Sequence, residues 1–173
     1  MNIKTKIKIK DIVTIGMMSA IMIAFQVALA LLPLPNVELV SLLTIVFTLV
    51  FGYKALYIIY IFVLLEGFIW GFHVWWINYL YVWMVLFIVT MLLRQNRSSI
   101  FWAVVSGAYG LSFGALCAIP YFLTGGIPTG MAYWVSGIPF DIIHGISNFI
   151  IAFVLFHPIH NLILRLIVNS DPI

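Results

Sequence analysis

Asp141, His144 and Asn148 stand at i, i+3 and i+7 in an otherwise apolar run, so on a helix they form one polar stripe. An acid, an imidazole and an amide on one face have three uses: orienting a ligand, moving protons, or knitting helices together by hydrogen bonds. Glu66 is a second acid within an apolar run, with Trp70 on its face at i+4. It lies roughly 18 Å of helical rise beyond Lys54, at a depth where an ionised carboxylate must be paired or reach a cavity. Between these sites, His73-Val74-Trp75-Trp76-Ile77-Asn78-Tyr79-Leu80-Tyr81-Val82-Trp83 concentrates rings. Asn78 and Tyr81 share a helical face and are expected to point inward, with Trp75 or Trp76 stacking on a ligand ring; the alternative for the tryptophans is an interfacial aromatic belt. The substrate-binding candidates are therefore Glu66, Trp70, His73, Trp75, Trp76, Asn78, Tyr81, Asp141, His144 and Asn148. No catalytic residue is assigned, because no nucleophile motif adjoins the acids. No metal is expected, since one His among scattered carboxylates lacks ligand spacing, and Cys117, the only cysteine, cannot form a disulfide within the chain. No cofactor is implied.

These residues have to be positioned by membrane helices. The 173 residues are 65% hydrophobic and 8% charged, against about 25% charged in soluble domains, and the mean hydropathy is +1.20. The bilayer must solvate most of such a chain. Apolar runs broken by Pro, Gly and charge predict helices at 11–32, 38–53, 55–72, 77–94, 99–123 and 134–157. The expectation is an all-α, polytopic six-helix membrane bundle at 11–157, between a basic tail at 1–10 and an amphipathic tail at 158–173.

All eight basic residues fall on one side of this scheme: Lys4, Lys6, Lys8, Lys10, Lys54, Arg94, Arg97 and Arg165. The positive-inside bias then puts both termini in the cytoplasm. The segments 33–38, 72–78 and 124–134 face outward, carrying or adjoining most of the polar candidates. The net charge of +3 is explained by this topology and implies no nucleic acid. On the first helix, Gly16, Ala20, Ala24 and Ala28 recur every four residues beside Met17, Met18 and Met22. Such a stripe permits close helix approach, either within the bundle or against another membrane subunit.

The short spans, the stripe within Gly16-Met17-Met18-Ser19-Ala20-Ile21-Met22-Ile23-Ala24, and Ile138-Pro139-Phe140-Asp141-Ile142-Ile143-His144-Gly145 opening the last helix resemble the S components of energy-coupling factor (ECF) importers. That resemblance implies a substrate-binding subunit in a bacterial or archaeal cell membrane, which captures a vitamin-like small molecule outside. It then docks on a transmembrane coupling subunit energised by two cytosolic ATPases. It also implies that Gly16, Ala20, Ala24 and Ala28 meet the coupling subunit while loops cap the ligand. The loop motifs depart from those of thiamin- and riboflavin-type members, so no ligand residues carry over from them. The outward half offers Glu38, Glu66, Asp141, His73 and His144 but no Lys or Arg, which favours a neutral or cationic flat heterocycle. The rival readings are an integral-membrane enzyme using Glu66, Asp141 and His144, and a ligand-free assembly subunit.

Overall fold

The computed structural model describes residues 8–31, 33 and 35–168, and every regular element among them is helical. The basic tail before Lys8 and the last five residues lie outside the described residues. In chain order the helices are α1 (Ile9–Ala30), α2 (Val40–Phe51), α3 (Ala55–Trp70), α4 (Val74–Leu93), α5 (Ser99–Cys117) and α6 (Ile119–Val168). A 3-10 turn, Gly52–Lys54, joins α2 to α3.

Glycine makes three of the connections. Gly52 (φ 58°), Gly71 (φ 91°) and Gly126 (φ 72°) take left-handed backbone conformations that a side chain disfavours. At Gly126 the chain leaves helical geometry within α6 and turns back on itself. Beyond that turn, Tyr133 stacks on Tyr121, Asp141 meets Gly114, Gly145 meets Gly110, and Phe156 stacks on Trp102. The segment 127–168 is therefore one arm of an antiparallel hairpin whose other arm begins at Ser99. Its glycines let the two backbones touch: a Cβ on Gly110 would stand 2.8 Å from the His144 carbonyl.

Paired contacts fix the direction of the other helices. Tyr60 Oη donates to the Leu80 carbonyl (3.0 Å) and Trp76 Nε1 to that of Val63 (2.8 Å), so α3 and α4 are antiparallel. Tyr81 reaches Leu116 and Tyr109 reaches Val82, so α4 and α5 are antiparallel too. Glu38 pairs with His144 and Ser41 with Asn148, so α2 runs with the second arm of the hairpin. Lys54 pairs with Asp11 and Ser19 with Ile58, so α1 runs with α3. Successive rods thus alternate in direction. The described basic residues Lys8, Lys10, Lys54, Arg94, Arg97 and Arg165 gather at one end, with the Gly71 and Gly126 turns at the other.

The core lies around α2, in which every residue from Val40 to Thr48 is buried. Phe47, Phe62, Trp102 and Phe156 are its largest fully buried rings. The outer faces of α1, α3 and α6 instead expose Met17, Phe25, Leu64, Ile146 and Phe153, among others. Apolar surface of that extent needs hydrocarbon around it. By length and apolarity the described residues hold five candidate spans, because α2, the 3-10 turn and α3 form one apolar segment, Val40–Trp70. The chain is a multi-pass helical membrane protein.

The helix limits differ from expectation in physically interpretable ways. Glu38 precedes α2 instead of opening it, since its carboxylate accepts from the Ser41 N–H. Segment 124–134, expected as a loop, is helical on both sides of Gly126 because one glycine suffices to reverse the chain. Trp75 and Trp76, placed ahead of the helix expected at 77–94, lie on α4, which starts at Val74. α6 continues past Pro158 to Val168, where a separate tail had been expected.

Candidate functional site

At the end opposite the basic residues, α1, the segment before α2, α4, α5 and α6 enclose a cavity of about 290 Å³. Gln26, Leu29 and Ala30 of α1 form one wall, and Pro35, Asn36, Val37 and Glu38 a second; Tyr79 and Trp83 of α4, Phe113 of α5 and His144 of α6 complete it. The segment at Asn36 is held by its bonds to α6. Asn36 Nδ2 donates to the Phe140 carbonyl (3.4 Å), and Ser147 Oγ donates to the Asn36 carbonyl (3.3 Å). Asn36 itself has a φ of 59°, which its short polar side chain tolerates better than most.

The aromatic wall is continuous. Tyr79 meets Trp83 edge to face at 5.5 Å, Trp83 meets Phe113 at 5.9 Å, and Phe113 meets His144 at 4.9 Å. Polar order comes from Glu38. Its Oε2 accepts from the Ser41 N–H (2.8 Å), and its Oε1 accepts from the Ser41 hydroxyl and faces His144 Nε2 at 3.1 Å. Ser41 Oγ in turn accepts from Asn148 Nδ2 at 3.0 Å. Burial pushes the Glu38 carboxyl up, but the hydrogen bond from His144, with the two Ser41 donors, outweighs it and holds Glu38 below its ordinary value. Every partner of Glu38 can donate to it, so it acts as a carboxylate, and His144 presents Nε2–H to it. The other face of the network carries unsatisfied atoms: His144 Nδ1, Trp83 Nε1 and Gln26 Oε1 are buried without a partner among the described residues.

Of the ten substrate-binding candidates, His144 lines this cavity and Asn148 supports it through Ser41. Asn78 and Tyr81 face inward but serve each other and the fold. The Tyr81 hydroxyl donates to the Leu116 carbonyl (2.7 Å), with the Asn78 amide oxygen 3.1 Å away. Trp76 is tied to Val63, and Trp75 packs edge to face on Tyr79. Trp70 is 48% exposed and His73 is also exposed, both away from the cavity. Asp141 accepts from the Gly114 N–H (2.9 Å) at the α5–α6 crossing, leaving Oδ2 buried without a partner. Glu66 is 2% exposed, with Oε1 unpartnered, and lies within electrostatic reach of Tyr79. Glu66, Asp141 and His144 share no hydrogen bond among the described residues.

The sequence reading named Glu38 among the outward acids and Tyr79 and Trp83 within the ring-rich segment, but it chose none of them as a binding residue and did not single out Gln26 or Phe113. Gln26 did carry a signal, as the one side-chain amide in α1. On the outside of the same helix, Gly16, Ala20, Ala24 and Ala28 are all exposed, and a Cβ on Gly16 would meet nothing within 4 Å. No protein-family model, curated protein or solved structure matches the chain.

Proposed function

We propose that this chain is the substrate-binding membrane subunit of an ATP-driven importer of the energy-coupling factor type. It captures a small, vitamin-like heterocycle from outside and releases it inside. The observation that carries this reading is the cavity between α1, α4, α5 and α6, walled by rings and lined by three buried polar atoms that lack partners. A finished structural core satisfies such atoms; a binding site leaves them for its ligand. The alternating rods support six crossings. With the basic end in the cytoplasm, both termini lie inside and the cavity opens outward.

The described residues form the membrane helices, and on this reading two cytosolic ATPases and a transmembrane coupling subunit would complete the importer. The exposed stripe Gly16, Ala20, Ala24 and Ala28 supports a docking face on the coupling subunit, because those residues are not used to pack α1 against its own bundle. Reconstitution tests the proposal. Vesicles holding the chain with a coupling subunit and both ATPases should accumulate the molecule that co-purifies with the chain, in an ATP-dependent way, and omission of any subunit should stop it. Turnover of that molecule into a product by the purified chain alone would favour an enzyme instead.

A further inference from the structure

We propose that the cavity selects an uncharged one- or two-ring heteroaromatic carrying at least one N–H donor and one hydrogen-bond acceptor, read by Gln26, Trp83 and His144. This deepens the capture reading above and rests on it.

Donors converge on Glu38 from both sides: Asn148 bonds to Ser41, Ser41 bonds to Glu38 through its N–H and hydroxyl, and His144 approaches through Nε2. Three of the roughly four lone-pair positions of a carboxylate are thereby engaged. Glu38 orients the imidazole and has little capacity left for a ligand cation. With Nε2–H committed to Glu38, the neutral imidazole presents Nδ1 as an acceptor. Gln26 Oε1 is a second acceptor, while Trp83 Nε1–H is a donor only. The complement of this set is a molecule that donates to His144 and Gln26 and accepts from Trp83.

Charge and size narrow it further. Among the described residues no Lys or Arg lines the cavity, so an anion would be buried beside Glu38 without a counter-ion. A permanent cation would leave both acceptor atoms unmet unless it also carried an N–H, and would lose its hydration to a carboxylate already engaged. A volume of about 290 Å³ is at the lower limit of small-molecule sites. The walls are rings, with Trp83 only 2% and His144 only 3% exposed, which suits a flat guest.

Native mass spectrometry of the full chain, with extraction of what it holds, reads the class directly. The expected result is a neutral ring compound with an N–H. Where the chain is obtained empty, titration with neutral hypoxanthine, anionic orotate and the permanent cation N-methylpyridinium, which has no N–H, should give binding by hypoxanthine alone. Trp83→Phe removes the N–H but also cuts the buried indole down to a single ring, so it is read beside Gln26→Met, which keeps the side-chain length and removes an acceptor that has no partner. Each should weaken binding roughly three- to tenfold, and Gln26→Met should do so with the melting temperature of the empty chain nearly unchanged. A bound carboxylate or quaternary cation, or a Trp83→Phe chain that binds as tightly as the parent, overturns the ligand class but leaves capture standing. A chain that holds nothing and binds no probe at millimolar concentration overturns the capture reading as well.

Discussion

His144 Nε2 stands 3.1 Å from Glu38 Oε1, across 106 residues of sequence, and this contact ties the second arm of the α5–α6 hairpin to the segment that precedes α2. Both groups are buried, so neither is free to exchange its partner for bulk water. Removing the donor of a hydrogen bond to a buried charged group typically costs about 1.5–3 kcal/mol. His144→Phe is expected to lower the stability of the detergent-solubilised chain by about that amount and to abolish ligand binding. A variant of unchanged melting temperature would mean that the pair does not hold the cavity closed.

The same pair sets a pH dependence. The folded Glu38 carboxyl lies below its ordinary value of 4.5, held there by His144 and Ser41 against burial. A depressed carboxyl contributes stability that is fully present above the unfolded pKa and is lost as the pH falls through the folded one. The stability difference between the parent and Glu38→Gln should therefore be flat from neutral pH down to about 4.5, then shrink. A difference that stays constant well below that pH would contradict an ionised Glu38.

The hairpin depends on bare backbone. A Cβ at Gly110 would lie 2.8 Å from the His144 carbonyl and 2.9 Å from Gly145 Cα, neither of which can swing aside as a side chain can. Gly110→Ala should destabilise by about 1–3 kcal/mol, the range for overpacking a tight contact. It should also weaken ligand binding, because it pushes the His144 main chain away. Gly137→Ala serves as the control, since a Cβ there meets nothing within 4 Å. Thermal shift and ligand titration on both variants separate the two effects.

Much of the scaffold was readable because its causes are local. Apolar run length and the placement of Lys and Arg depend on sequence alone, and they anticipated an all-helical, multi-pass chain. The i, i+3, i+7 stripe brought out His144 and Asn148, which the structure places beside the cavity and its supporting network. Asp141, on the same stripe, went instead to the hairpin contact, because Gly114 brings an N–H within its reach. Glu38 was counted among the outward acids but not as a binding residue, because its pairing with His144 joins positions 106 residues apart. Trp83 and Tyr79 were hidden because rings are common in a membrane interface, and only the crossing of α4 with α5 and α6 selects which of them face a cavity. Gln26 depended on the arrival of Glu38 and His144 from far away in sequence. Helix periodicity cannot report such a meeting.

The exposed stripe on α1 makes a separable prediction. Ala20 and Ala24 face away from the bundle, so tryptophan there meets no neighbouring helix of the same chain. Ala20→Trp and Ala24→Trp should leave folding and ligand binding by the isolated chain nearly intact, yet abolish co-purification with a coupling subunit and uptake. Loss of folding together with binding would show that the stripe packs inside the bundle, and docking would then need another surface.

Orientation decides whether the cavity faces the outside at all, which makes it the most consequential test. Thr129 lies three residues beyond the Gly126 turn and is exposed, at the end that carries the cavity. Arg97 lies between α4 and α5 and is exposed at the opposite end, where Lys54, Arg94 and Arg165 also gather. Cytoplasmic loops carry the excess of Lys and Arg in membrane proteins, so Arg97 should be inside and Thr129 outside. The native Cys117 is buried and gives a low background for thiol reagents. In intact cells a membrane-impermeant maleimide should therefore label Thr129→Cys and spare Arg97→Cys, which becomes reactive only after the membrane is opened. The reverse pattern would turn the cavity toward the cytoplasm. Capture from outside would then fail, whatever the cavity binds.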